Sequence, residues 1–419
     1  MTSTRTSSLL DVRPLRESGA FRRLWIGDVI SGLGQTMGAF TVAWLVWERT
    51  HSATAVSLIG MAQLVPMVVF TLLGGSWADR YDRRTLLVAV RWAQLGVASG
   101  LLLVVTFADA VAALFPLIAL QSALGSVGNP VSRASVATLL TGDRLAAGLA
   151  LSHTAFQMSM LLGPLIGGIL VATQGVAFTL ALDALAFLAA IHGARGLPRL
   201  GRPKQTGLTT DGAFSDITAG VQFVARTPIL AAVLLADLSA TVFAMPLALF
   251  PVLNDERFGG SPATLGLFVP ALGLGGIAAG VFSGRITRAS RQGLLAVAAS
   301  IVWGAALCLV GLTPWLWVAL ALLAVAGAAD VAAVVCRGTI VQSATPDEFR
   351  GRVSSLDFLV GAGGPKLGDL RAGLVSDATS GAFSMAIGGA AATAMAVLIA
   401  ARTPSLRGYR HTVDRTGLD

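Results

Sequence analysis

The sequence predicts an all-α membrane protein: twelve transmembrane helices in two six-helix, pseudo-symmetric bundles. Three observations predict it. Of 419 residues, 54% are hydrophobic and only 12% charged; the apolar residues fall in long blocks that recur down the whole chain; and the second half repeats landmarks of the first. An average soluble domain carries roughly 25% charged residues, so this composition cannot clothe one core in a polar surface. Blocks of about 20 apolar residues are what a helix needs to cross a bilayer.

Residues 1–20 are polar and Arg-rich, without a short apolar stretch or a small-residue cleavage site. They read as a cytoplasmic N-terminal segment, with no removable signal peptide. The first bundle, 21–195, holds spans beginning near Phe21, Ala55, Thr85, Ala112, Arg144 and Gly175. Residues 196–226 form a cytoplasmic linker, polar and rich in Gly and Pro as far as Gly212. Its second part, Ala213–Arg226, sets Phe214, Ile217, Val221 and Val224 at helical spacing and predicts an interfacial amphipathic helix. The second bundle, 227–402, holds spans beginning near Thr227, Pro262, Gly293, Pro314, Val353 and Gly381, and 403–419 is a cytoplasmic tail. Turns are punctuated by Gly259-Gly260-Ser261-Pro262 and Thr313-Pro314.

The formal net charge of +8 is spread between apolar blocks rather than gathered in one patch, which speaks for membrane orientation and against nucleic acid. The outward loops hold only Arg49 and Arg257, and Arg91, Arg133, Arg337, Lys366 and Arg371 fall inside spans. The rest of the 30 Lys and Arg lie on the opposite side, so both termini are expected in the cytoplasm.

Sliding the chain against itself exposes an internal repeat. A shift of 204 sets Arg133, Thr141 and Asp143 over Arg337, Thr345 and Asp347; a shift of 201 sets Gly163-Pro164 and Gly167 over Gly364-Pro365 and Gly368; a shift of 205 sets Gly75 and Arg80 over Gly280 and Arg285. Parallel repeats of this kind place a substrate site near the bilayer midplane.

Ionisable residues inside spans are the sharper signal, since a mid-bilayer charge costs about 2.5–3.5 kcal/mol on the insertion scale. Asp183, Asp237 and Asp330 lie deep in spans six, seven and ten, and Asp28 one to two turns in. Asp330 and Arg337 share a helix face, and Lys366 and Asp369 have a spacing that permits an ion pair. Two readings stay open for these charges: lining of a substrate or proton path, and static pairing between helices. Asp183 and Asp237 have no basic residue within a turn of their own helices, which makes them the preferred proton carriers.

Leu73-Gly-Gly-Ser-Trp-Ala-Asp79-Arg80-Tyr-Asp-Arg83-Arg84 resembles the signature loop of major facilitator transporters. With Phe21-Arg-Arg-Leu-Trp25 and Gln342-Ser-Ala-Thr-Pro346-Asp347-Glu348-Phe-Arg350-Gly351-Arg352-Val353, the chain further resembles the enterobactin-exporter-like branch, the transmembrane secretion effectors, from about residue 15 to 400. The resemblance implies the major facilitator fold in a bacterial inner membrane and proton-driven export of siderophores or drugs. Gly75, Asp79, Arg80, Arg83 and Arg84 of that loop read physically as a cytoplasmic gating latch, in which Asp79 at the membrane edge would meet the N-terminus of the eleventh span; topology determination by the positive charges alone is the alternative.

Gly163, Pro164, Gly167 and Gly168 are similar to the motif tied to exporters, which departs upstream at Thr154 and Ser159, where the full pattern has glycine. The acidic residue that the branch has near Gln35 stands here at Asp28. Arg133, after Asn129-Pro130, resembles the fourth-helix arginine associated with proton coupling; snorkelling to the interface is the alternative. His153 is read as a neutral packing or capping group rather than a proton relay.

No enzyme is expected: the chain has no Gly-rich phosphate loop, no zinc constellation and no cofactor motif. Cys308 and Cys336 read as packing residues. The expected partners are a small-molecule substrate, protons and the lipid bilayer, with the protein a monomer. An importer or facilitator of a small metabolite, and a non-transporting membrane sensor or scaffold, are the competing readings.

Overall fold

The computed structural model describes residues 11–108, 110–198, 213–282, 284, 286, 289 and 291–409, and among these every regular element is helical. The long helices of the first half are α1 (Gly19–Thr50), α2 (Ala53–Arg80), α3 (Arg83–Leu103), α4 (Leu114–Leu139), α5 (Asp143–Gln174) and α6 (Val176–Arg195). Then come α7 (Ala213–Arg226), α8 (Pro228–Ala244), α9 (Phe250–Arg257), α10 (Phe268–Val281), α11 (Gln292–Leu312), α12 (Leu316–Ala344), α13 (Asp347–Ala378) and α14 (Gly381–Arg402).

Among the described residues eleven segments are long and apolar enough to cross a membrane, with α8 and α9 forming one of them. The remaining long helix, α13, eleventh in chain order, has 32 residues, but Asp357, Lys366, Asp369 and Arg371 lower its hydropathy. It begins at Asp347 rather than near Val353, because the polar turn before the apolar stretch is already helical.

The chain divides into two compact units, one of Met1–Leu45 with Ala62–Thr206, the other of Val46–Met61 with Gly207–Asp419. In the first, Phe21, Leu24, Leu87, Val131, Leu151 and Leu197 form a buried core. Small residues bring α1 and α6 together: Gly27 lies over the Ala189 carbonyl and Gly193 over that of Arg23, each leaving no room for a Cβ. A single residue, Gly175, joins α5 to α6 at φ +87°, a conformation glycine adopts without steric cost.

In the second unit Leu230, Val297, Ile340, Val353 and Leu406 form the core. Gly275 and Gly327 lock α10 to α12 by backbone contact, and Gly304 and Gly389 do the same for α11 and α14. Glu256 of α9 accepts from Gly381 N and Ala382 N at 2.7 and 3.0 Å, capping α14 where its N–H groups lack helical partners. Asp377 of α13 makes the same kind of cap on the start of α2, accepting from Ala53 N at 2.7 Å and Thr54 N at 3.1 Å.

The amphipathic helix forms as α7, but its buried face is rotated from the predicted stripe. Val224 is 7% exposed and Val221 46%; Phe223 stacks on Phe349 of α13 at 4.4 Å between ring centroids, and Gly220 abuts the Arg352 carbonyl. The close fit of Gly220 turns the 220–223–224 face toward α13 and leaves Val221 outward. The side chains of Phe214 and Ile217 lie outside the described residues.

Candidate functional site

A cavity of about 340 Å³ opens within the first unit. Three helices supply most of its lining, with residues three or four apart, the spacing of one helical face, and Arg91 of α3 and Phe187 of α6 complete it. Asp28, Gly32 and Gln35 come from α1, Asn129, Ser132 and Arg133 from α4, and His153, Phe156 and Met160 from α5.

Asp28 is anchored at this wall. It accepts from Arg91 Nη2 of α3 at 2.7 Å and from Ser132 Oγ at 2.6 Å, and Arg91 also donates to Gln94 at 2.9 Å. The Arg91 side chain is 8% exposed and that of Asp28 31%, so the charges meet where water is scarce and a charge-assisted bond is strong. Arg91 and Gln94 were not among the candidates from sequence. The available signal was an arginine inside an apolar span with no acid on its own helix.

Arg133 is exposed in the cavity and, among the described residues, makes no hydrogen bond or ion pair. Beside it Phe156 is 51% and Met160 44% exposed, so the wall combines a cation with apolar surface.

In the second unit Arg337 of α12 holds two carboxylates, pairing with Asp237 of α8 and with Asp357 of α13 through Nε at 3.3 Å. Asp237, Asp330 and Arg337 line one small cavity of about 30 Å³ with Trp303 and Ser300. The shared face expected of Asp330 and Arg337 is therefore found, and Asp237, which has no basic residue within a turn of its own helix, is ion-paired. Its partner comes from another helix, beyond the reach of same-helix spacing.

Asp183, among the described residues, does stand alone. It is 4% exposed, its Oδ1 has no hydrogen-bond partner, and the absent side chains of Gly34 and Gly38 on α1 make its space. Asp369 accepts from Ala248 N at 3.0 Å, capping the 3-10 turn Leu247–Leu249 that separates α8 from α9. The alkyl chain of Lys366 lies against Gly60 of α2.

Gly163, Pro164, Gly167 and Gly168 are buried in α5, with Gly163 against the Thr36 hydroxyl and Gly167 against the Met37 carbonyl. Their repeat counterpart Gly364 meets the Thr241 hydroxyl in the same way. Gly75, Asp79 and Arg80 belong to the last turns of α2, where the side chains lie outside the described residues. Arg83 donates to the Ala134 carbonyl at 3.2 Å and to Thr138 at 2.9 Å; Arg84 is half-buried. Among the described residues no group of three or more His, Cys, Asp or Glu could hold a metal ion.

A family profile described as transmembrane secretion effector matches residues 10–412. The chain is similar to the multidrug efflux pump Tap of Mycolicibacterium fortuitum, 31% identical over 362 residues that cover 83% of this chain and 86% of that protein. It is similar to the enterobactin exporter EntS of Shigella flexneri, 25% identical over 407 residues and 97% of each chain. In fold it resembles a bacterial homologue of the iron transporter ferroportin in its inward-facing state, at TM-score 0.66 and 17% identity over 91% of this chain and 97% of that one. It also resembles a D-xylose-proton symporter, at 0.68 and 15% over 93% and 98%.

Proposed function

The chain belongs to the transmembrane secretion effector family of major facilitator transporters, and on that premise we propose that it is a proton-coupled exporter of a siderophore or an amphipathic drug-like molecule. It works as a monomer in the bacterial inner membrane with both termini in the cytoplasm, the side that carries most of its Lys and Arg. Similarity to an efflux pump and to a siderophore exporter supports the direction and the class of cargo. A mixed wall of Arg133, Phe156 and Met160 suits a molecule with both polar and apolar parts.

The observation that carries proton coupling is the charge count around Arg337. Asp237 and Asp357 pair with it and Asp330 lines the same cavity, so three carboxylates share one guanidinium. Buried like charges oppose simultaneous ionisation, and a proton bound within the cluster relieves the imbalance. Loading and losing that proton changes the charge of a group that joins α8, α12 and α13. One proton crossing about 100 mV supplies about 2.3 kcal/mol, enough for roughly a fifty-fold gradient of a neutral cargo.

Efflux of drugs and siderophores from cells lacking their own exporters tests this reading. Wild-type efflux should collapse with a protonophore and with Asp237→Asn. Protonophore-insensitive movement would mean facilitation, and a purified protein that moves no cargo would favour a sensor.

A further inference from the structure

The two repeats differ at their equivalent arginines. Gly163 against Thr36 and Gly364 against Thr241 fix the correspondence, and from those anchors the partners of Arg337 can be traced into the first unit. Asp237 stands four residues before Thr241, as Gly32 does before Thr36; Asp357 stands seven before Gly364, as Phe156 does before Gly163. Arg133 corresponds to Arg337. Where Arg337 is flanked by two carboxylates, Arg133 therefore has a glycine and a phenylalanine, and Gly32, Arg133 and Phe156 all line the 340 Å³ cavity.

The charge of that cavity follows. Asp28 and Arg91 cancel within their own pair at 2.7 Å, and His153 is the only other titratable group among the cavity's described lining residues. Arg133 is left exposed and, among the described residues, without a partner. We propose that this cavity is an anion-selective binding site, in which Arg133 takes the acidic group of an organic anion and Phe156, Met160 and Trp25 take its aromatic or apolar body. The proposal rests on the exporter reading only for transport; binding stands apart from it. A planar guanidinium presents paired N–H donors to a carboxylate, sulfonate or phenolate oxygen, and an aromatic wall beside it adds contact area at little entropic cost. A cationic amphipath would meet Arg133 with no free carboxylate to offset the repulsion.

Two xanthene dyes of matched shape and opposite charge test it: carboxyfluorescein and rhodamine 123. Binding of each to purified protein is measured by fluorescence anisotropy, and efflux of each from cells lacking their own exporters, for wild type, Arg133→Gln, Arg133→Lys and Gly32→Asp. The last restores in the first unit the carboxylate that Asp237 supplies in the second; a Cβ at Gly32 would lie 3.3 Å from the movable Ser159 hydroxyl. Size-exclusion profiles report folding of each variant.

The expected result is binding of carboxyfluorescein weakened about tenfold or more by Arg133→Gln and by Gly32→Asp, the worth of a charge-assisted hydrogen bond, and less by Arg133→Lys. Rhodamine 123 should bind weakly to wild type and no worse to Gly32→Asp. Arg133-dependent binding without efflux would uphold the site and contradict export. Efflux of rhodamine 123 with carboxyfluorescein neither bound nor moved would overturn the site and leave export standing. Carboxyfluorescein binding unchanged in a folded Arg133→Gln protein, or absent from wild type, would also overturn it.

Discussion

Asp377, in the last turn of α13, accepts a hydrogen bond from the backbone N–H of Ala53, the first residue of α2, at 2.7 Å. Its other contacts are Thr54 N at 3.1 Å and Ser52 Oγ at 2.6 Å. One carboxylate thus satisfies the open N–H groups of a helix start on a segment, Val46–Met61, that belongs with the second unit. Replacing Asp377 by Ala should cost about 0.5–2 kcal/mol, the worth of a helix N-cap. Amide hydrogen exchange at Ala53 and Thr54 should then speed up, and unchanged exchange would show that the cap holds nothing.

The Asp28–Arg91 pair yields a prediction about stability. Asp28→Asn leaves the Arg91 guanidinium, 8% exposed, without its counter-charge, at a cost of about 3–5 kcal/mol. The double variant Asp28→Asn/Arg91→Gln should lose less than the single changes combined. Thermal unfolding of the four detergent-purified proteins measures the coupling, and strict additivity would contradict the pair.

Helix packing gives a contrast between two glycines. A Cβ at Gly163 would run into the Thr36 side chain, whereas one at Gly125 in α4 has nothing within 4 Å. Gly163→Ala should lower the melting temperature, with overpacking costing about 1–3 kcal/mol. Gly125→Ala should hold or raise it, since alanine in a helix interior is favoured by about 0.5–1 kcal/mol. Equal shifts in the two variants would count against the close α1–α5 contact.

Asp369 is predicted to act locally. Its bond to Ala248 N at 3.0 Å secures the turn between α8 and α9, so Asp369→Ala should cost about 1–3 kcal/mol and speed exchange at the Ala248 amide. An unchanged amide would return Asp369 to the candidates for substrate contact.

What could be read from the sequence was whatever one helix or one repeat encodes. The positions of the spans follow from apolar blocks, and the Gly-Pro repeat at a shift of 201 follows from identity; in the structure both glycines meet threonine hydroxyls, Thr36 and Thr241. Asp330 and Arg337 could be placed together because they share α12. The Asp237–Arg337 and Asp28–Arg91 pairs could not, since each joins different helices whose rotation is set by packing. The rotated face of α7 has the same origin: Gly220 and Phe223 are selected by the surface of α13, which no hydrophobic periodicity within Ala213–Arg226 records.

The central claim, that proton movement through the Arg337 cluster drives export, is tested most directly in proteoliposomes with an imposed pH gradient, acidic inside. Wild-type protein should accumulate a transported dye against its concentration gradient until the pH difference is collapsed. Asp237→Asn should let the dye equilibrate without accumulating it. Accumulation by Asp237→Asn equal to wild type, or by wild type without a pH gradient, would contradict the account.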